Sequence, residues 1–135
     1  MKDFILYPEA FELKKLGFDE PCFAYFKKDT NSLCWHSNSV EPYNHNDIDR
    51  YGDFSAPTYS QAFRWFREKH DLRSFVDTIV HDVNSPNDWI YYFQVKMGNG
   101  IDTQPYYSGD FNSYEEAELA CLRKLIKKVK NKNDR

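Results

Sequence analysis

The run from Trp89 to Met97 constrains the fold more than any other segment. Trp89, Tyr91, Phe93, Val95 and Met97 fall on one side of an extended chain, and Ile90, Tyr92, Gln94 and Lys96 on the other. Asn99-Gly100 follows at once. Both residues tolerate positive φ, so the pair predicts a two-residue hairpin turn. Ile101 to Ser108 is then the returning strand, and Pro105 marks it as an edge. In that register Tyr92 faces Tyr107. The chain is therefore expected to build an antiparallel sheet.

Other segments supply the rest of the sheet. Ser74 to Val80 is rich in β-branched residues and reads as a strand. It is set off from Trp89 by the turn cluster Asn84-Ser85-Pro86-Asn87-Asp88. Upstream, Pro21 to Lys28 alternates, Asp29-Thr30-Asn31-Ser32 has turn chemistry, and Leu33 to Ser37 reads as the return. A four-residue loop sets Phe26 opposite Trp35 and Lys28 opposite Leu33. It also puts Cys22 and Cys34 on opposite faces.

Three helices are signalled by their ends. Pro8 suits a first helical position and Gly17 a left-handed C-cap, so 8–16 is helical. Thr58 and Gln61 form a capping box ahead of a face of Tyr59, Ala62, Phe63, Phe66 and His70, with Trp65 at its edge. Ser113 and Glu116 repeat the box. Ala117, Cys121, Leu122, Leu125, Ile126 and Val129 form the last apolar face. Residues 38–56 show no period and read as a long Asn/Asp-rich loop containing Tyr43, Tyr51 and Phe54. Thr58-Tyr59-Ser60-Gln61-Ala62 and Ser113-Tyr114-Glu115-Glu116-Ala117 echo one another. A ββα duplication explains the echo, and so do two capping boxes.

The order is α-ββ-loop-α-βββ-α. It predicts a single α+β domain over 1–130, an antiparallel sheet packed against helices, with 131–135 a frayed basic tail. The 135 residues suit one domain, and 11 Phe, 10 Tyr and 3 Trp are enough to fill its core.

Three segments carry a resemblance. They are Leu16 to Tyr25 (LGFDEPCFAY), Ser55-Ala56-Pro57-Thr58 through Trp65-Phe66-Arg67-Glu68-Lys69, and Tyr114-Glu115-Glu116-Ala117 through Leu125-Ile126. Together they resemble a group of small uncharacterised proteins of gut bacteria and their phages and mobile elements. The resemblance implies a cytoplasmic accessory protein and transfers no catalytic residue. The segments also have a purely structural reading, as a helix stop feeding a strand and two capped core helices.

Charge is unevenly spread. Residues 123–135 hold seven Lys and Arg against Asp134, a net +6, which leaves −9 on residues 1–122 of a chain whose total is −3. An acidic body argues against a broad nucleic-acid footprint. The opening residues lack a signal-peptide pattern and no apolar run spans a bilayer, so the expected compartment is the cytoplasm, with no membrane partner. Cys22, Cys34 and Cys121 have no metal-like spacing and are expected to be reduced thiols.

No constellation of side chains signals catalysis. Asp47-Ile48-Asp49-Arg50-Tyr51-Gly52 opens like a calcium loop but lacks half its ligands, Thr58 standing where the bidentate Glu belongs. Cys34 and His36, even with His45 and Asp47, do not match a zinc site, and His81-Asp82 reads as a turn-capping pair. His70 reads as a helix C-cap favoured by the dipole. No metal, cofactor or catalytic residue is therefore expected.

The leading expectation is a non-enzymatic module that binds an unknown protein partner through Tyr92, Tyr107, Tyr43 and Tyr51. It holds if helices cover only the Trp89 side of the sheet. The alternative is nucleic-acid binding along Arg123, Lys124, Lys127, Lys128 and Lys130 of the last helix. The exposed hairpin edge can pair with itself, so monomer and weak dimer both stay open.

Overall fold

The computed structural model describes residues 3–35, 42–46, 52–97 and 105–133. Among these are three helices and six strands in two antiparallel sheets, so the chain is α+β as its sequence indicates. Two compact units emerge, Met1–Ala62 and Phe63–Arg135.

In the first unit α1 spans Tyr7–Lys15, with Pro8 in its first turn. Gly17, at φ 92°, ends it. Gly17 N–H reaches Lys14 O at 3.1 Å and Phe18 N–H reaches Leu13 O at 3.0 Å. This is the paired hydrogen bonding of a left-handed C-cap, with Leu13 and Phe18 both buried.

The unit's sheet has the order β2-β1-β3, from β1 (Ala24–Phe26), β2 (Leu33–Trp35) and β3 (Phe54–Ala56). The first hairpin departs from the expected register, because Phe26 faces Leu33 and Ala24 faces Trp35. The loop is 27–32 and not 29–32. Asp29 and Asn31 both take positive φ, and Thr30 closes onto Lys27 O through its N–H (3.2 Å) and its hydroxyl (3.0 Å). These local bonds satisfy the backbone without a longer ladder.

β3 lies inside the stretch read as a patternless loop. It has three residues and all three are buried, so it shows no alternation to detect. Asn46 ties this stretch down: its Nδ2 donates to Phe18 O at 2.9 Å, and its Oδ1 accepts from Ser55 N–H at 3.0 Å. His45 N–H donates to the buried Ser55 Oγ at 2.9 Å. On the α1 side of the sheet Tyr7 meets Phe54 and Phe26 edge-on, with centroids 4.9 and 5.5 Å apart.

Helix α2 spans Tyr59–His70, and the division between the units falls within it. Thr58 Oγ1 accepts from Gln61 N–H at 3.2 Å, the expected cap. The return half of the box is not made, because the Gln61 amide turns to the chain before β1: its Oε1 accepts from Cys22 Sγ at 3.6 Å and its Nε2 donates to Pro21 O at 2.8 Å. In the second unit Trp65 and Phe66 are buried and Phe63 is only half-buried. The core face is thus rotated toward Trp65, which the sequence placed at the edge.

The second sheet has the order β4-β5-β6, from β4 (Leu72–Asp82), β5 (Ser85–Met97) and β6 (Tyr106–Tyr107). The β4–β5 hairpin is longer than expected. Ser85 to Asp88 belong to β5 rather than to a turn cluster, and the turn is Val83-Asn84. Asp82 Oδ1 accepts Asn84 N–H at 2.9 Å and so closes the turn. A register shift between Val80 and Asp82 absorbs two extra residues of β5. β6 pairs only with Gln94 and Val95, so Pro86 sits in a part of β5 that has no neighbour on that side among the described residues.

Helix α3 spans Tyr114–Asn133, three residues into the segment expected to fray. Ser113 Oγ accepts Glu116 N–H at 3.1 Å. Its buried face, Ala117, Cys121, Leu122, Leu125, Ile126 and Val129, packs on β5 and β4 as predicted.

Candidate functional site

The cross-strand pairs of β4 and β5 sort their side chains onto two faces. Leu72, Ser74, Val76, Thr78 and Val80 pair with Met97, Val95, Phe93, Tyr91 and Trp89, and this face meets α3. Its centre is sealed, since Phe93 and Val95 are buried, while Trp89 at the hairpin end is half-exposed.

The opposite face carries Arg73, Phe75, Asp77 and Ile79 of β4, paired with Lys96, Gln94, Tyr92 and Ile90 of β5. Phe75 is 49% exposed, Ile79 46% and Tyr107 60%. β4 alternates exposed and half-buried positions along nearly its whole length, because α3 covers one side only.

Tyr92 and Tyr107 share this open face but do not oppose each other. Tyr107 pairs with Gln94 and Tyr106 with Val95, so Tyr107 lies diagonally from Tyr92. That register needs two more residues in the connection than an Asn99-Gly100 turn supplies. The connection, 98–104, lies outside the described residues. Tyr92 Oη donates to Asp77 Oδ2 at 3.3 Å. Partial desolvation, then the Asp77 carboxylate, hold its hydroxyl above the usual phenol range.

The other two tyrosines of the expected set are not added to this face. Tyr43 belongs to the first unit, where it bridges Cys22 through main-chain bonds of 2.8 and 3.0 Å and meets His45 edge-on at 5.1 Å. Tyr51 lies outside the described residues.

At one end of the open face Arg73 stands directly opposite Lys96. Like charges so placed repel. Arg73 is offset by Asp71, 3.6 Å away and exposed.

The basic stripe of α3 is altered by its surroundings. Lys124 Nζ lies 4.0 Å over the Tyr106 ring and Lys128 Nζ 6.0 Å from it. Partial burial, then Lys124, hold the Lys128 ammonium below the usual lysine range. Arg123, Lys124 and Lys127 also line a cleft of about 320 Å³ against Phe93, Tyr106 and Phe111. The sequence did not join Tyr106 to the lysines, because the β6 register was needed to place it.

The sulfhydryls of Cys22 and Cys121 are buried, and burial pushes both up to about 12, so neither is a thiolate at neutral pH. Cys34 is half-exposed and all three are free. His36 and residues 47–51 lie outside the described residues, as does the side chain of His81. His45 stacks on Tyr25 at 4.1 Å. Among the described residues no cluster of three metal-ligating side chains occurs, and no helix is long and apolar enough to cross a membrane.

No protein-family model matches the chain, and neither a curated protein nor a solved structure matches it.

Proposed function

We propose that this protein is a non-enzymatic accessory module of phage or mobile-element type, working in the cytoplasm, that docks another protein on the open face of β4-β5-β6. One observation carries the reading: Phe75, Ile79 and Tyr107 are exposed together on a sheet whose other face α3 covers. Aromatic residues with one polar tip, such as Tyr92 and Tyr107, suit interfaces that desolvate on contact. The Arg73–Lys96 pair adds a chemical preference. A partner that presents a carboxylate beside apolar side chains relieves the repulsion there.

The test is affinity capture from the native host with Phe75→Ser and Tyr107→Ser variants beside the parent. A protein recovered with the parent and lost with both variants, while their melting temperatures stay within a few degrees, supports the reading. Capture that is indifferent to both substitutions refutes it. Recovery of nucleic acid that depends on Lys127 and Arg123 supports the alternative.

A further inference from the structure

β4 is an edge strand of eleven residues, and its unpaired side can be read from its neighbours. Tyr91 exchanges main-chain hydrogen bonds with Phe111 (3.0 and 2.8 Å), and Ser108 N–H reaches Phe93 O at 3.0 Å. Tyr91 and Phe93 therefore aim their main-chain groups away from β4. Their partners Thr78 and Val76 must aim away from β5, as must Ser74 and Val80 in the same alternation. These groups form a row along the free edge, and among the described residues no strand meets it. One position is closed: Thr78 N–H donates to Asp77 Oδ1 at 2.8 Å. Such a row, flanked by exposed Phe75 and Ile79, is a template for another strand.

We propose that β4 pairs edge to edge and antiparallel with β4 of a second copy, with the two-fold axis at Phe75. The side-chain pattern selects both occupant and register. Outward-facing residues oppose one another whenever the axis passes at a residue. An axis at Ser74 sets Arg73 against Phe75, one at Thr78 sets Asp77 against Ile79, and one further along centres the pairing next to the irregularity between Val80 and Asp82; Phe75, Val76 and Asp77 remain. An axis at Asp77 sets that carboxylate against itself. An axis at Val76 sets Phe75 against Asp77 and Arg73 against Ile79, which matches neither charge nor apolarity. An axis at Phe75 sets ring against ring. It also sets Arg73 of each copy against Asp77 of the other, an ion pair on both sides of the axis.

In this register Ser74 and Val76 exchange both main-chain bonds across the axis, and Leu72 opposes Thr78. The Thr78 N–H leaves the Asp77 carboxylate for Leu72 O of the second copy. The same carboxylate takes up Arg73 of that copy, so opening the edge and pairing the charge are one event. A two-fold axis perpendicular to the sheet puts both α3 helices on one side. The two open faces then join on the other side, so the dimer extends the face proposed to bind a partner.

Sedimentation of the full chain from about 1 µM to about 1 mM reads the association. The expected mass moves from 16.1 kDa toward twice that value. Arg73→Asp and Asp77→Arg should each weaken the dimer about tenfold or more, since either substitution places two like-charge pairs. The double exchange Arg73→Asp/Asp77→Arg should restore it to within about threefold, and melting temperatures of the single variants within a few degrees of the parent show that they fold. At a directly opposed pair the Cα atoms approach to about 4.5 Å, within disulfide reach. Phe75→Cys should therefore give a cross-linked dimer on mild oxidation, above any level seen with the parent, while Ile79→Cys should not. A concentration-independent monomer, single charge reversals that associate like the parent, or cross-linking that favours Ile79→Cys would overturn the proposal.

Discussion

Trp65 and His70, five residues apart in α2, meet edge to face with ring centroids 4.8 Å apart. Phe66 completes a three-ring cluster, 6.0 Å from the imidazole and 5.0 Å from Trp65. A histidine at a helix C-terminus would ordinarily gain a proton from the dipole. Here the opposite holds: burial first, then Lys132, keep the His70 imidazole below the usual histidine range.

The consequence is a pH dependence of stability. The unfolded chain takes up the His70 proton first as pH falls, because its value there is the ordinary ~6.5. The contribution of the neutral ring is complete above that value and is lost as pH falls through the lower, folded value. Thermal melts at about pH 7.5 and about pH 5 should show a smaller drop for His70→Gln than for the parent. Equal drops would mean that His70 does not titrate abnormally.

The core and the open face of β4 and β5 should differ in what truncation costs. Phe66 and Phe93 are 0% and 3% exposed, and alanine at either should cost about 3–5 kcal/mol. Phe75→Ala on the open face should cost under about 1 kcal/mol. Denaturant melts measure all three. A Phe75 variant as damaged as the Phe93 variant would show that the face is covered in solution.

Thiol accessibility follows burial. In the native protein Cys34 should react promptly with a thiol reagent, while Cys22 and Cys121 lag by orders of magnitude, because burial keeps both protonated. After denaturation, without reductant, all three should react. Fewer than three would reveal a disulfide.

What the sequence showed clearly was what local physics decides. Gly17, Ser113 and Thr58 end or start helices through bonds to residues within five positions. The α3 face and the β5 alternation were equally plain. The errors arose where a partner distant in the chain, or a turn closed at an unexpected place, set the pairing. β3 exists because β1 lies beside it, and nothing in Phe54-Ser55-Ala56 announces that. Ser85 to Asp88 look like a turn, yet Asp82 closes the turn earlier and leaves them in β5, with Ser85 opposite Asp82. Tyr107 was placed on the correct face but two residues from its true partner, since a turn motif sets register only if the turn forms there. The open face itself was legible only as a condition, namely that helices cover one side.

The basic face of α3 yields the last prediction. Read as a free stripe, four phosphate contacts give a salt slope near −3.6 on duplex DNA. The structure reduces the stripe. Lys124 sits over Tyr106 and Lys128 is partly buried beside it, so both ammonium groups are turned toward the sheet. Arg123 and Lys127 stay exposed and Lys130 is half-exposed. Three contacts lower the slope to about −2.7, and the −9 on residues 1–122 repels the same polymer. Duplex binding should therefore be unmeasurable at ~150 mM salt, where the Debye length is ~8 Å. Any binding at low salt should vanish in a Lys124/Lys127/Lys128→Glu variant. Replacing Tyr106 by Ala should release Lys124 and Lys128 and strengthen that low-salt binding. Micromolar binding by the parent at physiological salt, lost with those lysines, would put nucleic acid ahead of a protein partner.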